Sequence, residues 1–293
     1  MDLDGDGNRD ILSGSYSRMG ESMAGLFQVL WGKSDGTFKK AAELNGTDGK
    51  PLIIPVDGKP GDGEDWIKNI CTRPFAVDWN GDGHLDLVVG NFPGTFYLFK
   101  GEGTGKFAPV PDEMKTQKGA ALKVEGNHGD PFVIDWDGDG DLDILSGSDH
   151  GGIQWAENIA VPKQPPQLAA FQVLIPPGPQ GEFGRILKDE ALTGPLGSLR
   201  IWVDDYNGDG KLDIFVGDLA TLLSPADKIS ESQFKKKFET WNKSVQDASQ
   251  KMSGAKEEKE RKSAVEKVQK LYTERTTFMK EDRTGFVWLY LQK

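Results

Sequence analysis

The sequence predicts an all-β fold of repeated four-stranded sheets, a β-propeller, interrupted by one helical hairpin. A nine-residue acidic segment occurs four times, and short apolar stretches flank its copies. The composition between residues 226 and 282 differs, being rich in Lys and Glu and almost free of Gly and Pro. Elsewhere Gly and Pro are abundant, as expected for many short strands joined by turns.

The four acidic segments align without gaps and share the pattern Asp-x-Asp/Asn-x-Asp-Gly-x-x-Asp. They span residues 2–10, 78–86, 135–143 and 205–213. Each runs into an apolar stretch ending in glycine, at 11–14, 87–90, 144–147 and 214–217. Three of them also follow an apolar stretch, at 75–77, 132–134 and 201–203. Each unit is therefore predicted to be a strand, an acidic loop and a second strand.

Further apolar or alternating stretches predict two more strands in each unit. Third strands are expected at 26–31, 95–99, 152–155 and 286–291, and fourth strands around 37–40, 106–110 and 169–174. Four antiparallel strands in each repeat are typical of a propeller blade. The acidic loop keeps its length, whereas the other connections vary, so one face is expected to be constant and the opposite face free to bind ligands.

The acidic loops predict metal sites, because clustered carboxylates repel one another unless a cation lies among them. Calcium takes six to eight hard oxygen ligands, and glycine at the sixth position permits the sharp turn. The seventh residue is expected to contribute its backbone carbonyl, and the ninth to close the site. An EF-hand is excluded, because it needs flanking helices and Glu at position twelve. Here the flanking residues predict strands, and position twelve is Ser or Val. Ordinary Asp- and Gly-rich turns without metal are the alternative. We predict about one Ca²⁺ in each loop, with ligands at Asp2, Asp4, Asp6, Asn8, Asp10, Asp78, Asn80, Asp82, His84, Asp86, Asp135, Asp137, Asp139, Asp141, Asp143, Asp205, Asn207, Asp209, Lys211 and Asp213.

The copies, such as the one at 75–90, resemble FG-GAP/VCBS repeats, which also build the propellers of integrin α-chains. The resemblance covers most of residues 1–218 and the last strand at 285–293. It implies calcium in the blade loops and a propeller of about seven blades. Four blades are recognisable here, so we expect further blades from a longer chain or from elsewhere.

The predicted domain organisation has three segments. Residues 1–225 form propeller blades, residues 226–282 form a helical hairpin inserted in the last blade, and residues 283–293 return to that blade as a strand. Ser230 and Gln233 form a possible capping box at the start of the hairpin. The hairpin is either a structural addition, an arm that binds a partner or a lid over the propeller channel.

A second set of polar residues is predicted to contact a ligand on the variable face. Arg73, Asp130 and Arg200 precede the first strands of three successive blades, where they could bind an anionic or sugar ligand. Two histidines and nearby carboxylates could form a cluster, and Asn91 belongs to a polar ring after the second strands. Solvated or mutually paired surface charges are the alternative. The full set is Arg73, Asn91, His128, Asp130, Asp149, His150 and Arg200.

These patterns favour a binding module over an enzyme, since no Gly-x-Ser-x-Gly or His-Glu-x-x-His motif is present. We expect a calcium-stabilised, secreted, non-catalytic propeller that binds a protein or a glycan. One alternative is a carbohydrate-active enzyme of the lyase or dehydratase type with a site on the variable face. Another is an assembly role with the hairpin as docking arm.

Charge and hydropathy limit the partners and the location. The net charge of −11 argues against nucleic acid, because an acidic surface repels phosphates. The sequence contains no apolar run of the roughly 20 residues that a membrane-spanning helix needs. We expect an extracellular, periplasmic or cell-surface location in a bacterium, with an export signal upstream of Met1.

Overall fold

The computed structural model describes residues 1–16, 25–56, 65–161, 164–178, 185–186, 191–255 and 257–293. This part of the chain is mostly β, with several antiparallel sheets and two α-helices. Contacts divide the chain into two compact units. The first unit comprises Met1–Gly178, Gly194–Leu219 and Phe286–Lys293, and the second comprises Pro179–Thr193 and Ala220–Gly285.

Four sheets build the first unit, with strands numbered in chain order. The first sheet contains β1 (Ile11–Ser13), β2 (Gln28–Leu30) and β3 (Ala42–Glu43). The second contains β4 (Arg73–Val77), β5 (Asp86–Gly90), β6 (Phe96–Phe99) and β9 (Asp112–Glu113), with a separate hairpin of β7 (Gly101–Gly103) and β8 (Lys106–Phe107). The third contains β10 (Asp130–Ile134), β11 (Asp143–Gly147), β12 (Ile153–Ala156) and β13 (Gln172–Ile175). The fourth contains β15 (Arg200–Asp204), β16 (Asp213–Gly217) and β19 (Val287–Tyr290).

The predicted order of strand, acidic loop and strand is confirmed in the second, third and fourth sheets. In each, the first two strands are antiparallel neighbours, and the acidic loop joins them. The loop ends where its last aspartate begins the second strand, paired with the final residue of the first strand: Val77↔Asp86, Ile134↔Asp143 and Asp204↔Asp213.

The predicted fourth strands at 37–40 and 106–110 are wrong. Tight turns fold those residues back onto the segments just before them, so they do not pair with the third strand of their sheet. Phe38 instead bridges back to Gly32 beside the end of β2. Gly103, Thr104 and Gly105 all have positive φ and fold Lys106–Phe107 back onto β7. The fourth strands therefore begin later, at β3 and β9.

Three apolar cores lie between consecutive sheets and explain the unbroken apolar runs of the second strands. Successive side chains of a strand point to opposite faces. Leu87 and Val89 of β5 accordingly enter the core shared with the first sheet, and Val88 enters the core shared with the third sheet. All three are fully buried. A third core joins the third and fourth sheets.

The first strands of neighbouring sheets lie side by side, β4 against β10 and β10 against β15. Aromatic rings mark the contacts, with centroids 4.9 Å apart for Phe75 and Phe132 and 5.7 Å apart for Phe132 and Trp202. Residues that begin these strands are consequently neighbours in space although 57 to 70 positions separate them in sequence.

The second unit contains the two helices, α1 (Glu231–Gly254) and α2 (Glu258–Glu274), as well as strands that the sequence did not reveal. Its sheet consists of β14 (Arg185–Ile186), β17 (Ala220–Pro225) and β18 (Met279–Thr284). The expected hairpin at 226–282 is thus extended at its base by the antiparallel pair β17–β18. After its first residue β18 is polar, so no apolar alternation marked it as a strand.

The helices pack through an apolar core of their own. Phe234, Trp241 and Val245 of α1 are buried, and the Trp241 indole donates a hydrogen bond of 2.9 Å to the Leu271 carbonyl of α2. Met279, which falls in the segment predicted to form the helical hairpin, lies in β18 instead. Within the described part of the chain, neither helix has the length and apolarity needed to cross a membrane.

Replacing Ser230 by Ala should destabilise the helical insertion by about 1 kcal/mol. The predicted capping box is confirmed: the Ser230 hydroxyl accepts from the Gln233 N–H, and the Gln233 side chain accepts from the Ser230 N–H. Urea unfolding followed by circular dichroism at 222 nm would measure the decrease in the free energy of unfolding. Ser244→Ala, within the same helix, is the matched control and should have little effect because Ala favours helix interiors. Equal losses in both variants would contradict the capping role.

Candidate metal loops and a basic cavity

The first aspartate of each acidic loop organises the turn. In all four loops one of its oxygens accepts the N–H of the fourth loop residue at 2.8–2.9 Å, and the other accepts the N–H of the sixth at 2.9–3.0 Å. The fifth residue, always Asp, accepts the N–H of the seventh in the same way. The four loops therefore share one conformation.

Glycines at the fourth and sixth positions make that conformation possible. All eight have φ between 74° and 96°, a region that side chains resist. The requirement at the sixth position was predicted from the sequence, whereas the requirement at the fourth emerges only from the backbone. With both glycines in place, the loop N–H groups turn inward onto the first aspartate.

The ninth aspartate of each loop is buried and ties the loop to the sheet. One oxygen accepts the N–H of the second loop residue, at 2.8–3.2 Å. The other accepts the N–H of a residue just beyond the third strand, at 2.7–3.0 Å. At most 5% of each of these residues is exposed. Besides the metal role predicted from the sequence, each of these residues therefore joins two parts of its sheet. The four are Asp10, Asp86, Asp143 and Asp213.

Oxygen atoms gather most closely in the first and third loops. One carboxylate oxygen from each of Asp2, Asp4 and Asp10 lies within 4.8 Å of the others, and Asp135, Asp137 and Asp143 form the equivalent group. The second and fourth loops have Asn80 and Asn207 at the third position, where an amide oxygen replaces a carboxylate.

The donor set of the third loop fits a hard cation. Oδ1 of Asp141 is buried and has no hydrogen-bond partner among the described residues. Burial and the neighbouring carboxylates of the loop raise the pKa of Asp141 to about 6. Burial also raises the pKa of Asp143 to about 6, against the hydrogen bonds that it accepts. A cation among these oxygens would relieve the repulsion between the carboxylates.

A cavity of about 370 Å³ lies where the first strands begin. Three of the predicted ligand residues, Arg73, Asp130 and Arg200, line it together. Nη1 of Arg200 lies 3.4 Å from Oδ2 of Asp130, and Nη1 of Arg73 donates to the His128 carbonyl at 2.7 Å. Two guanidinium groups face one carboxylate, so the three side chains carry a net positive charge.

The charges at this cavity are partly desolvated. Burial raises the pKa of Asp130, and the two arginines oppose that change. Burial lowers the pKa of Arg73, and Asp130 opposes it. The hydroxyl-bearing residues Ser13, Tyr16 and Thr72 also line the cavity. They lie in connections outside the acidic repeat or at the end of a strand, where no pattern marked them.

The other predicted ligand residues do not line this cavity. Asn91 is fully buried and stabilises a turn, because its amide donates to the Lys68 carbonyl and accepts from Thr95. The corresponding residues of the other sheets, Ser15, Ser148 and Asp218, accept backbone N–H bonds in the same role.

The two histidines of the predicted ligand set do not line the cavity. The His128 ring packs edge-on against Phe92, at 4.7 Å between centroids, and burial and then Arg73 lower its pKa. His150 lies 4.0 Å from Asp149, whose carboxylate accepts from both the backbone and the side chain of Asn127.

A comparison with known protein families supports the repeat that the sequence predicted. Residues 78–146 match the family model of the FG-GAP-like repeat, which confirms the resemblance for that region. No curated protein matches the sequence. Among solved structures, the chain is similar to a lectin of Agrocybe aegerita described as recognising non-reducing terminal N-acetylglucosamine. The two are 16% identical, with a TM-score of 0.35, over 72% of this chain and 47% of the lectin chain. The match spans about half of the lectin, and a TM-score this low does not establish a shared fold.

Proposed function

Because residues 78–146 carry an FG-GAP-like repeat, we propose that this chain is a calcium-stabilised β-propeller module that binds a protein or glycan ligand without catalysis. The blades lie within residues 1–225 and 283–293, and the segment 226–282, extended at its base by β17 and β18, is an insertion in the last of them. The FG-GAP-like repeat also supports a secreted or cell-surface location.

The metal part of the proposal rests on the common structure of the four acidic loops. Each presents oxygen atoms from alternate positions around one turn, and two of them bring three carboxylates within 4.8 Å. Ca²⁺ prefers hard oxygen ligands in this type of loop. It would be held by the side chains of the first, third, fifth and ninth residues and by the carbonyl of the seventh.

The ligand part of the proposal rests on the basic cavity. The partly buried Arg73 and the exposed Arg200, beside hydroxyl groups, can form charge-assisted hydrogen bonds with a carboxylate or with sugar hydroxyls. The enzyme alternative requires Arg73, His128, Asp149 and His150 to converge on one pocket, and of these only Arg73 lines the cavity. The arrangement therefore favours binding over catalysis.

Replacing both Arg73 and Arg200 by Ala should weaken ligand binding by at least roughly 100-fold, because hydrogen bonds of charged donors contribute about 1.5–3 kcal/mol each. Glycan and extracellular-protein arrays would identify the ligand, and calorimetry would measure the loss. Arg261→Ala, an exposed position on α2, is the matched control and should bind as the wild type does. Unchanged binding by the double variant would contradict the assignment of the cavity.

A further inference from the structure

The two helices carry a net positive charge in a chain that is acidic as a whole. Residues 231–274, which comprise α1, α2 and their connection, contain eleven Lys and Arg and eight Asp and Glu, a net charge of +3. The whole chain has a net charge of −11. Because charge of each sign favours partners of the opposite sign, the helices are suited to an acidic partner.

A groove runs along the line where the two helices meet. Two cavities mark it, one of about 690 Å³ beside the helix connection and one of about 640 Å³ at the base of the hairpin, and both helices line each of them. Ser244 lines one cavity and Lys251 the other, and both lie on one face of α1 because seven residues make nearly two turns. Lys267 and Glu274 of α2 are related in the same way. The two cavities therefore lie on one side of the hairpin and form a single groove.

The groove has an apolar floor. Trp241 and Phe278 at its base and Ala264 at its other end are buried, and Leu271 is partly buried. Trp241, Leu271 and Phe278 also belong to the apolar core of the helices, so the floor is the edge of that core. Four hydroxyl groups add hydrogen-bonding capacity along the groove: Thr240, Ser244, Ser263 and Thr277.

Lysines dominate the rims of the groove. Five lysines and two glutamates line the two cavities, and the lysines are all exposed. None of the five forms an ion pair with another residue in the part of the chain that the structure describes. Glu274 is instead paired with Lys270 of its own helix, at 3.8 Å. The rims are therefore left with a net positive charge. The lysines are Lys236, Lys237, Lys251, Lys259 and Lys267, and the glutamates are Glu260 and Glu274.

We propose that this groove binds an acidic amphipathic helix of a partner protein, which lies along α1 and α2 as the third helix of a bundle. The apolar stripe of the bound helix covers Trp241 and Leu271, and its carboxylates pair with the lysines of both rims. Between Lys236 and Gly254 the groove is about 27 Å long, the length of a helix of about 18 residues. This site is separate from the basic cavity of the first unit and does not depend on its ligand.

The combination of floor and rims selects this occupant over simpler ones. An extended polyanion would pair with the lysines and leave the apolar floor uncovered. A neutral apolar helix would cover the floor and leave five lysines without partners. An acidic helix with one apolar stripe satisfies both, because its charged and apolar residues lie on opposite faces.

Fluorescence anisotropy of a labelled helical peptide tests the proposal on the full chain. The probe has three heptads with Leu at the a and d positions, Glu at e and g and Ala elsewhere, so repulsion among its glutamates opposes self-association. A second peptide has Lys in place of Glu, and a third has the acidic composition in an order without heptads. The acidic heptad peptide should bind at least about 10-fold more tightly than either of them. Raising the salt concentration from about 0.05 to about 0.5 M should weaken its binding, because the Debye length falls to roughly 4 Å.

Charge reversal within the groove should weaken binding of the acidic heptad peptide. Lys237→Glu combined with Lys267→Glu places one glutamate in each cavity and should raise the dissociation constant by at least about 10-fold. Lys235→Glu combined with Lys262→Glu is the matched control, since it changes the net charge equally at positions that line neither cavity. This control should change the dissociation constant by about twofold or less. All four positions are exposed, so both double variants should keep the wild-type circular dichroism spectrum.

Several outcomes would overturn the proposal. Equal losses in the two double variants would show attraction to net charge alone, and comparable binding of the basic or the reordered peptide would show that the groove does not select an acidic helix. Absence of binding by the acidic heptad peptide would also contradict it. Light scattering coupled to size exclusion examines a further occupant: a wild-type dimer that Lys237→Glu with Lys267→Glu dissociates would assign the groove to a second copy of this chain instead.

Discussion

Removing calcium should lower the melting temperature of this protein by roughly 10–20 °C. A ligand that binds only the folded state at 100 times its dissociation constant stabilises that state by about 2.7 kcal/mol. Two loops with three clustered carboxylates each would contribute about 5 kcal/mol in this way. In a chain of this size each kcal/mol is worth about 2–4 °C.

Differential scanning calorimetry in excess chelator and after addition of Ca²⁺ measures this shift. Mg²⁺ at the same concentration should restore less, since it demands a tighter octahedral shell than these loops offer. Asp4→Ser combined with Asp137→Ser removes one carboxylate from each clustered group and should reduce the shift by about half. A melting temperature that chelation leaves unchanged would refute the metal sites.

Replacing Asp86 by Ala should destabilise the fold by about 3–5 kcal/mol even in chelator. The carboxylate is fully buried and accepts the N–H groups of Trp79 at 3.2 Å and Gly101 at 2.7 Å. Its removal leaves two buried donors unpaired, and each costs about 1–3 kcal/mol. The loss of unfolding free energy in chelator therefore measures the hydrogen bonds that join the loop to the sheet, and not the binding of metal.

Urea unfolding of the full chain in chelator separates the two roles of the loop aspartates. The control is Asp82→Ala, at the exposed fifth position of the same loop, which should cost about 1 kcal/mol or less without metal. With Ca²⁺ present, both variants should lose stabilisation. If Asp86→Ala costs no more than Asp82→Ala in chelator, the structural role of these hydrogen bonds is wrong and the ninth aspartate acts through metal alone.

Part of the basic cavity could be predicted from the sequence. Arg73, Asp130 and Arg200 were grouped because each precedes an apolar stretch that leads into an acidic loop, and neighbouring first strands bring them together. Asn91 followed an equally regular pattern, yet its side chain points into the protein and supports a turn. The repeat determines where a residue lies along its strand. Whether that residue is exposed to solvent depends on the loop that packs next to it.

By itself the sequence determined the repeated strands and the acidic loops, because both depend on local chemistry: alternating or apolar runs, glycines in left-handed turns and spaced carboxylates. Only the tertiary structure decided the fourth strands, the second role of the ninth aspartate and which residues at one position of the repeat are buried. Trp79 and Tyr206 occupy the same loop position, yet one is 8% exposed and the other 63%. The difference arises because burial depends on which sheet lies opposite, and no local pattern in a chain encodes its neighbour in space.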